Sequence, residues 1–335
     1  MKHKTILDIA DYLKISPSTV SRALSDHPDI KASTKILVRK VADEIGYIPN
    51  PIARGLRNNK TLTIGVLVPE IKHDFFASAI SGIEEVAYQA GYTIILCQSN
   101  ESFEREILNT NVLIQHRVAG MIVSISQTTK SGEHFNELNK RGIPLVFFDR
   151  VCPEVKACKV IIDDELSAYN AVIHLIQRGY KNIAHFAGPE PLEICVKRKA
   201  GYCRALKSAN IEIDESLILV GGLHENDGYD SMEKVFNQNR KIDAVFAVND
   251  PVAIGAFQKI KEAGLRIPED IGIVGFSNNK ITNLINPRLT TVDQPSFEMG
   301  KRSAEILIDM IKDESKLKNP FTEILEAKLI IREST

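Results

Sequence analysis

Polar and aromatic side chains follow several apolar, strand-like segments, and their chemistry suits them to binding a small molecule. Phe75 and Phe76 come after the segment 64–68, and their rings could stack on a ring face of a ligand. The polar residues that follow other segments are Asp149, Arg150, Asn249 and Gln294. Because open α/β sheets bind ligands outside the carboxyl ends of their strands, these positions predict a binding cleft. A local ion pair is the alternative interpretation of Asp149 and Arg150.

Patterns typical of catalysis are absent from the sequence. It contains no phosphate loop of the form G-x-x-x-x-G-K-[ST], and no G-x-G-x-x-G follows the first apolar segment. The histidines that we considered are scattered without the spacing of metal ligands: His73, His116, His174, His185 and His224. Asp163 and Asp164 follow a strand-like segment, and we predict that they cap the next helix. We therefore predict no catalytic residue, no metal site and no cofactor, and expect that the protein is not an enzyme.

The charge of the chain is unevenly distributed. The 335 residues carry a formal net charge of −1, but residues 1–60 hold eleven Lys or Arg and six Asp or Glu. That stretch is therefore +5, and the other 275 residues carry −6. A basic end on an acidic body is typical of a polyanion-binding head, although a chance excess of surface lysines would give the same count.

The composition is that of a globular protein, with 44% hydrophobic and 25% charged residues. No apolar run approaches the ~18 residues that cross a bilayer, and no secretory signal is visible at the N-terminus. Five cysteines without a C-x-x-C pair make a disulfide framework or a zinc site improbable. These features predict a cytoplasmic protein with no membrane association.

The first 48 residues predict three short helices. Thr5 and Asp8 form a capping-box pattern before an apolar face that starts at Ile6, and Ser16 with Pro17 begins a second helix. A third helix is predicted over 33–45, with Leu37, Val41 and Ile45 facing inward. Two short helices joined by a tight turn and followed by a third make a helix-turn-helix domain. Residues 49–60 then predict a short helix after Pro51 and a linker.

From residue 62 onward, apolar β-branched segments alternate with helical stretches. We predict ten strands, at 64–68, 93–97, 121–125, 145–148, 160–162, 183–186, 217–220, 244–248, 271–276 and 289–292. Short strands that are hydrophobic on both faces and separated by helices indicate parallel sheets covered on both sides. Ten strands suit two doubly wound lobes better than one sheet.

The sequence resembles the lactose-repressor (LacI/GalR) family of transcriptional regulators over essentially the whole chain. Its head carries the family-like motifs TILDIA (5–10), SPSTVSRAL (16–24) and GYIPNPIARGLR (46–57). Its core carries VNDPVAIG (248–255), IPEDI (267–271), VGF (274–276) and PRLTTVDQP (287–295). The family often has a glycine in the first turn of the head where this chain has Lys14.

The resemblance implies that the second helix enters the DNA major groove. Pro17 and Ser18 would face base edges, and Arg22 suits a bidentate contact to guanine. Hydroxyl side chains suited to phosphate oxygens are Thr5, Ser16, Thr19, Ser21 and Thr34. The alternatives are helix capping for Thr5 and Ser16, and an ordinary surface arginine for Arg22.

The resemblance also implies that residues 49–60 form a hinge helix in the DNA minor groove. Leu56 would wedge into a base step, which kinks the duplex. The hinge residues predicted to contact DNA are Asn50, Ala53, Leu56 and Arg57. Packing of Leu56 against the head or the core is the alternative.

For the effector cleft, the resemblance adds Arg198 as a ligand-binding arginine. Ser277 stands where many relatives have an acidic residue that accepts ligand hydroxyls. Serine is a weaker, neutral partner, so this departure points to a ligand other than a plain neutral sugar and leaves the class of effector open between a sugar and a sugar derivative. The predicted domains are a DNA-binding head (1–48), a hinge (49–60) and a core (61–335). Lobe 1 is expected at about 61–161 and 293–325, and lobe 2 at about 162–292 and 326–335.

These observations predict a homodimeric regulator, in most relatives a repressor, of a pseudo-palindromic operator under control of a carbohydrate-related effector. The resemblance implies that the two-lobed core is periplasmic-binding-protein-like. A solute-binding protein of transport is the alternative with the same core, disfavoured by residues 1–60 and by the missing signal sequence. A nucleotide-dependent enzyme is a third possibility, and it lacks its phosphate loop.

Overall fold

The computed structural model of the chain describes residues 4–47, 61–238 and 241–335. Its contacts divide it into two units, Met1–Thr61 and Leu62–Thr335, which we call the head and the core. Across the described residues, no helix combines the length and apolar character needed to span a bilayer. The five cysteines all lie in the core, and all are free thiols.

The described part of the head consists of three short helices. α1 spans Ile6–Leu13, α2 spans Pro17–Leu24 and α3 spans Ala32–Glu44. Ser16 is the N-cap of α2, and its Oγ accepts a hydrogen bond from the backbone N–H of Thr19 at 3.1 Å. One small apolar cluster holds the helices together: Ile9, Ala10, Val20, Ala23, Val38, Val41 and Ala42. The helix-turn-helix prediction is confirmed.

One residue of α3 differs from the prediction. We expected Leu37 to face inward, but Leu37 is 49% exposed and its neighbour Val38 is completely buried. Residues 36–38 are all apolar, so more than one helical face fits the sequence pattern. Packing against α1 and α2 selects the face that contains Val38 and Val41.

The turn between α1 and α2 contains Lys14, where relatives often have a glycine. Lys14 has a φ of +51°, in the left-handed region that glycine adopts most easily. Its backbone N–H donates to the carbonyl of Ala10 and closes α1. The lysine thus adopts the conformation for which a glycine would be favoured, and the turn keeps its form.

The core contains two six-stranded sheets, as expected for two doubly wound lobes. The strands of the first sheet are β1 (Thr63–Val68), β2 (Thr93–Gln98), β3 (Gly120–Val123), β4 (Leu145–Phe148), β5 (Cys158–Ile162) and β11 (Thr322–Leu325). Those of the second are β6 (Ile183–Ala187), β7 (Ile218–Val220), β8 (Ala244–Ala247), β9 (Gly272–Phe276), β10 (Thr290–Asp293) and β12 (Lys328–Ile330). We call the two sheets with their helices lobe 1 and lobe 2.

Parallel pairing dominates both sheets. The strand order is β11-β5-β4-β3-β1-β2 in lobe 1 and β12-β10-β9-β8-β6-β7 in lobe 2. The pair of β10 and β12 is antiparallel, and the other neighbouring strands are parallel. The chain passes between the sheets after β5, after β10 and after β11. We retain the predicted lobe limits, which lie near these connections, as a proposal.

Helices cover the sheets and connect their strands. The α-helices are α4 (Asp74–Gln89), α5 (Phe103–Gln115), α6 (Glu133–Lys140), α7 (Asp164–Gln177), α8 (Glu193–Ser208), α9 (Glu225–Asn237), α10 (Asp250–Glu262) and α11 (Ser296–Lys312). Short 3-10 helices span Glu215–Leu217, Lys280–Asn283 and Glu314–Lys318. α4 and α11 approach very closely, because a Cβ at Gly300 would lie 2.0 Å from the carbonyl oxygen of Ala79.

The ten predicted strands are all present, with ends displaced by at most two residues. The prediction missed β11 and β12. Both are short, lie at sheet edges and carry exposed residues, so they lack the continuous apolar pattern of the buried strands.

Candidate DNA-binding and effector-binding sites

The N-terminal end of α2 presents small polar side chains to solvent. Ser16, Pro17 and Ser18 are exposed, and Thr19 is half-buried. The Ser16 hydroxyl lies 2.8 Å from the hydroxyls of Ser18 and Thr19 while it caps the helix. A hydroxyl has one donor and two acceptor positions, so these oxygens can exchange their mutual hydrogen bonds for contacts to DNA.

Arg22 lies one turn further along α2 and is exposed. Within the residues that the structure describes, its guanidinium forms no ion pair. The neighbouring cations of α3 differ, because Lys35 Nζ and Arg39 Nη2 lie 3.1 and 3.3 Å from the carboxylate of Asp26. Arg22 is therefore available to a partner outside the head.

The other predicted DNA contacts are Thr5, Ser21 and Thr34 in the head and four residues of the hinge. The Thr5 hydroxyl donates to the carboxylate of Asp8 at 2.8 Å, and hydrogen bonds from the Thr5 backbone and hydroxyl hold the pKa of Asp8 below its usual range. Ser21 and Thr34 are half-buried. The predicted hinge contacts Asn50, Ala53, Leu56 and Arg57 lie outside the described residues. All of these positions remain predictions.

A cavity between the lobes of the core brings together all eight residues predicted to bind the effector. Lobe 1 contributes Phe75, Phe76, Asp149 and Arg150, and lobe 2 contributes Arg198, Asn249 and Ser277. Gln294 lies on the connection that follows β10, where the chain passes from lobe 2 to lobe 1. Five lining residues were not predicted: His73, Ile194, Leu223, Pro251 and Asn279. The cavity has a volume of about 50 Å³.

Arg198 is buried in this cavity wall with its charge already balanced. Its Nε and Nη2 lie 2.8 Å from Oδ1 of Asp164, and its Nη1 donates to the carbonyl of Val248 at 2.7 Å. The guanidinium carbon lies 3.7 Å from the centre of the Phe276 ring. Burial raises the pKa of Asp164 to about 6, although Arg198 acts in the opposite direction. Two of the five N–H groups of Arg198 remain for a ligand.

Arg150 is balanced in the same way by Glu101. Its Nη1 donates to both carboxylate oxygens of Glu101, at 2.8 and 3.1 Å. The Nε of Arg150 lies 4.0 Å from Asp149, so Glu101 rather than Asp149 is its main partner. The local ion pair that we considered for Asp149 and Arg150 is thus a secondary contact.

A hydrogen-bonded chain of three side chains connects the lobes across the cavity. Ser277 Oγ donates to Gln294 Oε1 at 2.8 Å, and Gln294 Nε2 donates to Asp149 Oδ1 at 3.2 Å. Asp149 (φ +58°) and Ser277 (φ +111°) both have left-handed backbone conformations, a strain that proteins often hold at binding sites. Burial raises the pKa of Asp149, against the opposing effect of Arg150 and Arg198.

Asn249 has a structural role beside its predicted one. Its Oδ1 accepts from the backbone N–H of Val252 and caps α10, and its Nδ2 donates to the carbonyl of Leu223, both at 2.9 Å. Two other side chains that line the cavity have a polar atom with no hydrogen-bond partner among the described residues. These atoms are Oδ1 of Asn279, an acceptor, and Nε of Arg150, a donor.

Sequence reasoning also missed Asp164 and Glu101, the partners of the two cavity arginines. Of the two acids predicted to cap α7, Asp163 does so, accepting from the Leu166 N–H at 2.9 Å, whereas Asp164 pairs with Arg198. The position of Asp164 after β5 was a usable signal, because the carboxyl end of that strand faces the cleft. Glu101 offered no comparable signal.

At the rim of the cleft, three residues that are distant in sequence meet. Glu70 follows β1, His73 is the N-cap of α4 in lobe 1, and His224 is the N-cap of α9 in lobe 2. Oε2 of Glu70 lies 2.7 Å from Nε2 of His73 and 3.7 Å from Nδ1 of His224. The two imidazole rings are stacked, with centroids 5.8 Å apart.

Comparison with known families agrees with this architecture in both units. Residues 5–50 match the model for bacterial regulatory proteins of the lacI family. Residues 61–331 match the model for periplasmic binding proteins and the sugar binding domain of the LacI family. This chain belongs to the LacI family. It is therefore a DNA-binding transcriptional regulator with a ligand-binding core, and the match of its head excludes the transport alternative.

Individual LacI-family members are similar over the full length. The HTH-type transcriptional repressor PurR of Vibrio atlanticus (strain LGP32) is 35% identical, with 97% of this chain and 98% of that protein covered. A solved lac repressor dimer, bound to operator and the anti-inducer ONPF, superposes with a TM-score of 0.85 at 25% identity and covers 99% of each chain. A complex of the transcriptional regulator CelR with cellobiose has a TM-score of 0.75 at 27% identity, covering 99% of this chain and 100% of that one.

Proposed function

We propose that this protein is a homodimeric repressor of a pseudo-palindromic operator, controlled by a neutral sugar that binds between the lobes of its core. A single helix-turn-helix contacts one half-site, so a symmetric operator calls for a two-fold dimer. The lac repressor dimer on its operator supports this assembly. Because the target is the bacterial chromosome, we place the protein in the cytoplasm.

The pairing of the cavity arginines supports a neutral effector. Arg150 and Arg198 each face a carboxylate already, and Asp149 adds a third acidic group to two cations. An anionic ligand would have to compete with Glu101 and Asp164 for these guanidinium groups. A neutral ligand leaves both buried ion pairs intact.

The remaining polar atoms support a polyhydroxylated ligand. Asn279 Oδ1 needs a donor and Arg150 Nε needs an acceptor, and a hydroxyl group supplies either one. Phe75 and Phe76 add an apolar wall for the face of a sugar ring. The relative that binds cellobiose is consistent with this class of ligand.

The size of the cavity supports a coupling between binding and lobe movement. Its volume of about 50 Å³ is much smaller than the ~300–1,000 Å³ of ordinary ligand pockets. A sugar therefore requires the lobes to separate or their side chains to rearrange. Such a movement would shift the hinge segments of the dimer and change operator affinity.

A thermal-shift screen of the full-length protein tests the effector proposal. We expect a neutral mono- or disaccharide to raise the melting temperature, with a stabilisation of ~2.7 kcal/mol at a hundredfold excess over Kd. Asn279→Ala should weaken this ligand at least fivefold, and the exposed surface variant Asn111→Ala should bind as the wild type does. Stabilisation by sugar phosphates or sugar acids alone would contradict a neutral effector.

Operator binding is then measured with and without the sugar that the screen identifies. Fluorescence anisotropy of a palindromic duplex should show a change in Kd of at least fivefold on addition of the sugar. An operator affinity that is the same with and without bound sugar would overturn the proposed control.

A further inference from the structure

We propose that Glu70, His73 and His224 form a binding site for a divalent transition-metal ion, with Zn²⁺ as the best fit, that joins the two lobes at the rim of the cleft. Two imidazoles and one carboxylate are a donor set that zinc accepts readily, with a fourth position left for water or a ligand. Lobe 1 supplies Glu70 and His73, and lobe 2 supplies His224. The site therefore exists only when the lobes are together.

The distances fit a metal of this size. Zinc–nitrogen and zinc–oxygen bonds of ~2.1 Å place the ligand atoms of a tetrahedral site roughly 3.4 Å apart. The observed separations from Glu70 Oε2, 2.7 Å to His73 and 3.7 Å to His224, lie on either side of this value. One donor atom from each of the three residues falls within 4.8 Å of the others. Small side-chain movements would therefore bring all three ligand atoms within bonding distance of one ion.

The donor atoms are also available. Nδ1 of His224 is buried and has no hydrogen-bond partner among the described residues. His73 occupies the N-cap of α4 without a side-chain capping bond, so its imidazole is not needed to begin the helix. Lys72 pairs with the other carboxylate oxygen of Glu70, at 3.2 Å, and leaves Oε2 facing the two histidines.

The position of the site gives the metal a consequence beyond binding. His73 also lines the effector cavity, and Leu223, next to His224, lines it too. A metal coordinated from both lobes would hold the cleft closed beside the effector. Closure at the rim would stabilise the native core, because the ion binds the folded and closed form alone.

Calorimetric titration of the untagged, EDTA-treated full-length protein with ZnCl₂ tests the proposal. We expect one Zn²⁺ per chain, at least a tenfold weaker affinity in His224→Ala and in Glu70→Gln, and an unchanged affinity in the exposed control His116→Ala. Co²⁺ in place of Zn²⁺ should give the visible absorption of a tetrahedral site in the wild type, lost in His224→Ala.

Melting temperatures give a second readout, in which each variant is compared with itself with and without Zn²⁺, so that a variant of lower basal stability is still informative. Zn²⁺ should raise the melting temperature of the wild type and of His116→Ala, and leave those of His224→Ala and His73→Ala unchanged. Absence of saturable binding, or binding and stabilisation that persist in His224→Ala, would overturn the proposal. Neither readout requires DNA or effector, so its failure leaves the proposed regulatory function untouched.

Discussion

Arginines in the head and in the cleft of the core have opposite surroundings. Arg22 is exposed and forms no ion pair with the described residues, whereas Arg150 and Arg198 are buried and paired with Glu101 and Asp164. An exposed guanidinium can take a phosphate or a guanine without breaking an internal contact. The charge of a buried and paired guanidinium is already neutralised by a carboxylate of the core. The difference supports our proposal that the head binds the polyanion and the cleft binds a neutral ligand.

The largest expected effect comes from removing a paired arginine. Arg198→Ala leaves the Asp164 carboxylate buried without its cation, which should lower the free energy of unfolding by ~3–5 kcal/mol. The loss should be greater at pH 8 than at pH 5. Without Arg198, Asp164 is ionised and unpaired in the folded state at pH 8, whereas at pH 5 it takes up a proton and the folded state no longer contains an unpaired buried charge. Urea denaturation at the two pH values measures both.

A double variant separates pairing from packing. Arg198→Met combined with Asp164→Leu removes both charges and should recover most of the stability that the single variant loses. If Arg198→Ala costs less than about 1 kcal/mol, or if the double variant is as unstable as the single one, the buried pair does not have the role described above.

Buried groups of the core also make its stability depend on pH. His185 is fully buried, its Nδ1 donates to the carbonyl of Phe246 at 3.0 Å, and burial lowers its pKa to about 4. The unfolded chain takes up a proton on this residue near pH 6.5, so His185 contributes a loss of stability of ~1.4 kcal/mol per pH unit from pH 6.5 down to pH 4. The raised pKa of Asp164 contributes in the opposite direction in this range, so the His185 contribution is obtained by comparing the variant with the wild type. His185→Phe, stacked between Tyr202 and Phe246, should remove this loss.

The exposed His116→Phe is the matched control for that experiment. It should keep the wild-type dependence of the free energy of unfolding on pH between 4 and 6.5. The same dependence in His185→Phe as in the wild type would show that His185 does not titrate as a buried group.

A smaller effect per site is expected at the exposed arginine. Arg22→Ala should weaken operator binding by ~1–3 kcal/mol per half-site and relax the preference at one base pair, with the stability of the head unchanged. Arg39→Ala, an exposed arginine that pairs with Asp26, is the control and should leave base preference intact. Uniform weakening on all sequences by Arg22→Ala would make Arg22 a phosphate contact instead.

The three head helices and the ten buried strands could be predicted from sequence, because strand patterns and helix caps depend on residues that are close together in the chain. The eight cavity residues were predicted from two sources. One is the rule that ligands bind at the carboxyl ends of parallel strands, and the other is the family resemblance. The choice between Leu37 and Val38 was not local, since packing against two other helices decides which of three adjacent apolar residues is buried.

Contacts between distant segments could not be predicted. The partnership of Arg150 with Glu101 and the meeting of His73 with His224 depend on how two lobes come together, and no spacing in one sequence encodes it. For Arg198, the sequence indicated a ligand contact but not that Asp164 already neutralises its charge. That pairing is the observation on which our proposal of a neutral effector rests.

The salt dependence of both affinities on the same full-length protein tests the central claim most directly. For the operator, log K against log salt concentration should fall with a slope of about −0.9 for each phosphate neutralised. For the effector, the same plot should be nearly flat. A flat operator plot, or an effector plot as steep as that of the operator, would contradict the division of a polyanion-binding head and a neutral-ligand cleft.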